Sequence, residues 1–281
     1  MVETQMIMKK SIFILCSLLL LAGCKTGMTW EKLAVDGHRT GVTAPTADNV
    51  SEALGSVDKE KVIYTAPNGR KFKGGRTPYV AALLIDSQPE MAPVKEIIGK
   101  SARELKSHRP ESELSNFAVD FVRAETERLT GLKTDVAVTN FGGIRVDMPE
   151  GDIMLDDIMS MFPFKNRLVW VELPGTELIR LFEDIAQYGP QCVSGVRMVI
   201  AEGKLESLEV GGHPVNPKKK YGVATVDFLL DGGDHLNVAR GATKLVMTDV
   251  YIGDAMQAYI RSLTAEGKTI DYTTDGRVIV K

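Results

Sequence analysis

Hydrophobic positions along this chain change their spacing several times, and each change marks an element. Residues 12–22 are an apolar run, interrupted by Ser17, behind Lys9 and Lys10. That run is too short to cross a bilayer comfortably as a helix but suits the core of a signal peptide. Residues 25–55 are polar and rich in Gly, Thr, Asp and Asn, and read as a tether. Beyond them, residues 62–65 and a second extended stretch flank Pro67-Asn68-Gly69. Asn-Gly favours the positive φ of tight turns, so this predicts a hairpin. Residues 79–85, a short apolar run, read as a strand. Val94, Ile97 and Ile98 carry helical spacing up to Gly99.

The texture then becomes denser. Residues 115–132 put Phe117, Phe121, Val122 and Leu129 on one helical face, with Gly131 as a stop. Residues 135–140 have a buried-strand pattern ending in a glycine turn, and 168–173 alternate as a strand does. Residues 175–188 form an amphipathic helix closed by Gly189-Pro190. Strands are predicted at 196–200, 205–210 and 221–228, with turns at Gly211-Gly212 and Asp231-Gly232-Gly233, and a last helix at 249–263. Helices and strands alternate without a strict βαβ rhythm, which predicts an α+β fold, mixed β-sheets flanked by helices.

Composition adds limits. The 281 residues are 44% hydrophobic and 25% charged with net charge −3, enough for one large or two small cores. A slightly acidic total argues against nucleic acid, which demands clustered Lys and Arg. The apolar run ends in Leu21-Ala22-Gly23-Cys24, which resembles the lipobox of bacterial lipoproteins. The resemblance implies lipidation at Cys24, a membrane anchor there, and a place at the cell envelope, at the outer membrane facing the periplasm. Cys16 leaves with the signal, so Cys192 remains as a single thiol, without a disulfide framework. It reads as a small buried hydrophobe.

Three glycine-punctuated turns are the candidates for chemistry: residues 139–145, 163–166 and 226–234. A Gly-Gly at a strand end lets backbone approach a ligand closely. Arg145, just past Gly142-Gly143, offers a planar fork for phosphate or carboxylate. Phe164 and Phe228 at loop tips could clamp a flat ring, and stacking on an aromatic contributes about 1–3 kcal/mol per base. Taken singly, each turn is equally readable as β-turn glycines, core Phe and surface Arg.

In order and spacing these turns resemble the C-terminal, substrate-binding domain of the 5'-nucleotidase and UDP-sugar hydrolase family. Residues 111–116 match its opening motif, and 140–145 look like its Asn-Gly-Gly-Gly-Ile-Arg turn. Residues 160–166 are similar to its segment ending Pro-Phe-Gly-Asn, 191–195 to its Val-Ser-Gly stretch, and 221–234 to its Tyr-x-Val-Ala-Thr run. The resemblance covers 89–281, after a signal peptide (1–24) and a tether with an N-terminal hairpin (25–88). It implies that Phe164 and Phe228 sandwich a nucleotide or nucleoside base and that Asn166 and Asp234 bond to base or ribose. It further implies that Arg145 binds phosphate on a turn shaped by Asn140, with Arg109 as a second phosphate contact. Phe141, Ser115, Lys165 and His235 each replace a glycine of the pattern, which bears on the ligand's identity.

In that family hydrolysis belongs to a separate N-terminal metallophosphoesterase domain with two metal ions. This chain has four His; Asp36-Gly37-His38 matches the spacing of that domain's opening motif, but nothing completes the shell. The resemblance therefore implies no catalytic residues, metals or other cofactors in this chain, the divalent metals sitting in a partner metallophosphoesterase. The expectation is the nucleotide-recognising half of a split 5'-nucleotidase. A non-catalytic nucleotide-binding protein and an envelope scaffold are the alternatives.

Overall fold

The computed structural model describes residue 45 and residues 48–281, all within one compact unit. The apolar run at 12–22, Cys24, Asp36 and His38 lie outside the described residues.

Among the described residues a helical turn at Val50–Ala53 is followed by a small antiparallel sheet of β1 (Ser56–Asp58), β2 (Ile63–Thr65) and β3 (Lys71–Lys73). Between β2 and β3, Gly69 holds φ +81° and Arg70 N–H donates to Asn68 Oδ1 at 3.1 Å, so the Asn-Gly hairpin is present. Helix α1 (Thr77–Asp86) follows, where the sequence predicts a strand. A short apolar run cannot be assigned by periodicity alone, and Pro78 sits in the first helical turn, where its missing N–H costs nothing. The second correction is at 94–99: a 3₁₀ turn, Ala92–Lys95, leads into strand β4 (Ile97–Ser101), not a helix.

Helix α2 (Glu113–Thr130), β5 (Val136–Thr139), β6 (Gly151–Met154), helix α3 (Leu155–Met161), β7 (Arg167–Pro174) and helix α4 (Gly175–Tyr188) come next. The remainder is β8 (Cys192–Ser194), β9 (Val196–Ala201), β10 (Lys204–Val210), β11 (His213–Pro214), β12 (Lys220–Val226), β13 (Lys244–Tyr251), helix α5 (Ile252–Ala265) and β14 (Val278–Val280). The predicted last helix begins three residues early because Asp249–Tyr251 complete β13. The fold is α+β with mixed sheets. Its main sheet has the order β13-β7-β12-β5-β8, in which β12 and β5 are parallel and the other pairs antiparallel. A second sheet runs β11-β10-β9-β14.

Every residue of β5, and every residue of β12 except Lys220, is buried, which is why both read as continuous apolar runs. Helix α2 lies against β5, β8 and β12, with Phe117, Phe121 and Val122 inside. A reciprocal capping box starts it: Ser112 Oγ accepts from Ser115 N–H at 3.3 Å, and Ser115 Oγ accepts from Ser112 N–H at 2.8 Å. Ser115 thus replaces a glycine of the family pattern with a capping residue.

Cys192 is 2% exposed, and burial pushes its thiol up to about 12. The thiolate is the reactive form, so Cys192 is expected to resist iodoacetamide at pH 8 in the folded protein and to label fully in urea. Site-resolved mass spectrometry checks this.

Candidate functional site

Strand direction brings the three glycine-punctuated turns together. Because β5 and β12 are parallel, Asn140 after β5 and Phe228 after β12 emerge at one edge of the main sheet. Strand β7 runs antiparallel to β12 with Leu168 opposite Val226, so Phe164 and Asn166, just ahead of β7, reach the same edge. Strand β8 pairs antiparallel with β5, Cys192 opposite Thr139, which delivers Gln191 there too. Ligand clefts in α/β sheets form at such carboxyl ends of parallel strands.

The cleft there encloses about 250 Å³ and is lined by Asn140, Gly142, Gly143, Arg145, Phe164, Asn166, Phe228 and Asp234. That is slightly below the ~300–1,000 Å³ of drug-sized pockets, so it suits one small ring-bearing ligand. A narrow apolar pit of about 20 Å³ continues behind it, past Ile144, Phe162 and Ile252. It has room for roughly one water and no more.

Phe164 and Phe228 are each 48% exposed. Neither stacks on another ring among the described residues. Two large apolar side chains held half out of the core, on one cleft, leave unsatisfied faces for a planar ligand. Gly233 makes room for one of them: a Cβ there would lie 2.2 Å from the Phe228 carbonyl oxygen and 2.8 Å from its ring.

Asn140 locks two of the turns together. Its Nδ2 donates to Asp234 Oδ2 at 2.7 Å, and its side chain lies so close over Gly143 that a Cβ there would come within 2.9 Å of Oδ1. Asp234 holds φ +48°, a left-handed conformation that Asp tolerates better than most residues. Removing this part-buried hydrogen bond costs about 1–3 kcal/mol. Asn140→Ala is accordingly expected to lower the melting temperature by a few degrees and to weaken ligand binding about tenfold, read by scanning calorimetry and titration.

Arg145 Nη1 donates to the Gly142 carbonyl at 3.3 Å and meets no carboxylate among the described residues, leaving the rest of its fork for an anion. The Asn166 carboxamide makes no hydrogen bond to a described side chain or backbone group, while its carbonyl accepts from Ile252 N–H at 2.9 Å. Arg109 stands apart from the other predicted contacts: it does not line the cleft. Its guanidinium caps the Phe141 ring at 5.0 Å, and its Nε donates to the Pro190 carbonyl at 2.8 Å.

Phe141 is 7% exposed and turned away from the cleft, so replacing a glycine there does not fill the site. Lys165 is exposed, and His235 stacks on Tyr188 with ring centroids 5.1 Å apart; neither lines the cleft. The residue that sequence reasoning missed is Gln191. Its Oε1 accepts from Phe141 N–H at 3.1 Å, holding the first turn from the neighbouring strand. Its place at the head of the Val-Ser-Gly stretch was the available signal. Among the described residues, no three or more His, Cys, Asp or Glu side chains gather to hold a metal ion.

A mixed-sheet α+β domain with two half-exposed phenylalanines at its parallel strand ends is built to present a cleft to a small ligand. More narrowly, the chain belongs to the 5'-nucleotidase, C-terminal domain family, whose model matches residues 92–241. Strand β13 of the main sheet lies beyond that match, so the folded unit extends past it. Protein UshA of Escherichia coli K12 is 33% identical over 132 residues, 45% of this chain and 24% of its own length. The 5'-nucleotidase of Vibrio cholerae is 29% identical over 107 residues, 36% of this chain and 19% of its own. The 5'-nucleotidase precursor from Thermus thermophilus superposes with a TM-score of 0.64 at 26% identity, over 77% of this chain and 45% of that one. The chain thus spans about a quarter of the length of UshA, and less than half of the Thermus enzyme.

Proposed function

We propose that this chain is the nucleotide-recognising half of a divided 5'-nucleotidase whose metal-bearing catalytic domain is supplied by a separate exported metallophosphoesterase. The observation that carries this reading is the cleft: Phe164, Phe228, Arg145 and Asn166 around about 250 Å³, in a member of this family. In this reading Phe164 and Phe228 hold the base between them. Asn166 and Asp234 bond to ring edge or ribose, and Arg145 takes the phosphate on the turn that Asn140 shapes. Arg109 acts from behind, steadying Phe141 and so the turn.

The two metal ions of such hydrolysis activate water and clamp the phosphoryl group. In this reading those ions belong to the partner. Lipid on Cys24 anchors the recognition domain, residues 89–281, at the outer membrane facing the periplasm. Loss of palmitate labelling in a Cys24→Ser variant is the test of the anchor.

The functional test mixes the purified chain with each metallophosphoesterase exported by the same cell and measures phosphate release from AMP. A rate above that of either protein alone is expected. No gain with any of them overturns the divided enzyme; AMP binding without gain would leave a protein that captures nucleotides and does not hydrolyse them.

A further inference from the structure

A second polar basin opens at the opposite end of β5 from the aromatic cleft. The cleft begins at Asn140, directly after the strand. The basin begins at Gly195, whose Cβ position would lie 2.1 Å from the carbonyl oxygen of Asp135, directly before it. At about 3.3 Å per residue the four-residue strand separates them by roughly 13 Å, and no residue lines both. The basin encloses about 330 Å³ between α2, β8 and the chain ahead of β14.

Three guanidinium groups meet two carboxylates on its walls: Arg123, Arg197 and Arg277 against Asp120 and Asp275. Both carboxylates are already committed. Arg277, 7% exposed, donates from Nη1 to Asp120 Oδ1 at 2.7 Å and from Nε to Asp275 Oδ1 at 2.9 Å. Its Nη2 reaches the second oxygen of each, at 3.0 Å and 2.9 Å. Tyr272 donates its hydroxyl to Asp120 as well.

Arg123 and Arg197 are in a different position. Neither makes a hydrogen bond, or an ion pair within 4 Å, among the described residues. Glu209 faces Arg197 across the β9–β10 pair without closing to ion-pair distance. Arg123 Nη1 lies 3.3 Å from where a Gly195 Cβ would stand, so the bare glycine leaves room for its guanidinium on the basin wall. The Ser194 hydroxyl is buried beside Asp120 and forms no hydrogen bond of normal geometry. Gly211 and Gly212, both at positive φ, leave one wall without side chains.

On the basin walls three guanidinium groups thus stand against two carboxylates, and the forks of Arg123 and Arg197 hold no hydrogen-bond partner among the described residues. A carboxylate offers two oxygens and a phosphate-class anion three or more, so the latter can meet both of these forks with separate oxygens. We propose that this basin binds a small phosphate-class oxyanion, gripped between Arg123 and Arg197, at a site separate from the aromatic cleft. The volume leaves space for a substituent, so free phosphate and a phosphate monoester are both admitted.

The test is calorimetric titration with inorganic phosphate and with glycerol 3-phosphate, at low ionic strength. It uses the wild-type chain, the double variant Arg123→Gln/Arg197→Gln, and Arg145→Gln. Binding to the wild type is expected to persist in Arg145→Gln and to weaken about tenfold or more in the double variant, since each lost hydrogen bond to a charged group is worth about a factor of ten. No binding to the wild type, or binding lost in Arg145→Gln and retained in the double variant, overturns the proposal. Tighter binding of glycerol 3-phosphate identifies a monoester as the ligand; equal or weaker binding identifies free phosphate. Should the double variant lose its melting transition, exposed Arg197→Gln alone must still weaken phosphate at least severalfold, and unchanged affinity there overturns the site. AMP titration of the Arg123→Gln/Arg197→Gln variant keeps the outcome distinct from that of the nucleotide reading, because that variant leaves the cleft residues untouched.

Discussion

Replacing Phe164 and Phe228 together by alanine is expected to abolish measurable nucleotide binding, and replacing either alone to weaken it by about tenfold to a hundredfold. Base stacking on one aromatic ring contributes about 1–3 kcal/mol, and each 1.4 kcal/mol is about tenfold in affinity. Both rings are half exposed on one cleft, so truncation removes ligand contact without opening a hole in the core. Substitutions of that kind usually change stability by no more than about 0.5 kcal/mol, and the melting temperature of both variants should match the wild type. The measurement is calorimetry with AMP, adenosine and UDP-glucose. Wild-type affinity in both single variants would remove the base from between these rings. Loss of affinity accompanied by loss of the melting transition would instead mean that the rings hold the fold.

The cleft was more legible than the elements around it, for a physical reason. Glycine pairs, loop-tip phenylalanines and an arginine mark the three turns by residue type, and their order and spacing, through the family resemblance, set them apart from ordinary turn glycines, core Phe and surface Arg. Residues 79–85 and 94–99 carry no such mark. The first is a short apolar run and the second a single turn of helical spacing, lengths at which helix and strand differ only through their neighbours, and Pro78 in one case and pairing of Ile97 with Met154 in the other decided the outcome. Strand β6 and helix α3 passed unnoticed because neither is long enough to establish a period.

What the sequence could not supply was direction. That β5 and β12 run parallel and β7 antiparallel is a property of the assembled sheet, and it alone carries three turns, far apart in sequence, to one edge. Arg109 is not among the residues lining the cleft. Its side chain is drawn to the Pro190 carbonyl and the Phe141 ring. Gln191 was overlooked for a simple reason. It touches backbone, the Phe141 N–H, and such a contact leaves no signature in residue type.

The largest loss of stability is expected at a residue outside the family match. Arg277 stands just ahead of β14, and all five of its N–H donors are used. Two bonds go to Asp120 on α2, two to Asp275, and one, at 3.1 Å, to the Val193 carbonyl on β8. It thereby ties the end of the chain to the helix and edge strand of the main sheet. Burial alone would raise the Asp120 carboxyl, but hydrogen bonds led by that from Arg277 outweigh it and hold the group below its ordinary value. Arg277→Ala leaves the part-buried Asp120 without its countercharge, a change that costs at most about 3–5 kcal/mol. At about 2–4 °C per kcal/mol for a domain of this size, the melting temperature should fall by at most about 6–20 °C. Lysine cannot restore it, since an ammonium offers three donors and no planar fork. Because the Asp120 carboxyl is depressed in the folded state, its contribution is complete above about pH 3.9, the unfolded value, and disappears as pH falls through the folded one. Urea unfolding of wild type and Arg277→Ala at neutral pH and in acid should therefore give a gap in stability that closes below about pH 4. A gap under about 1 kcal/mol at neutral pH would mean that the clamp contributes little to the fold.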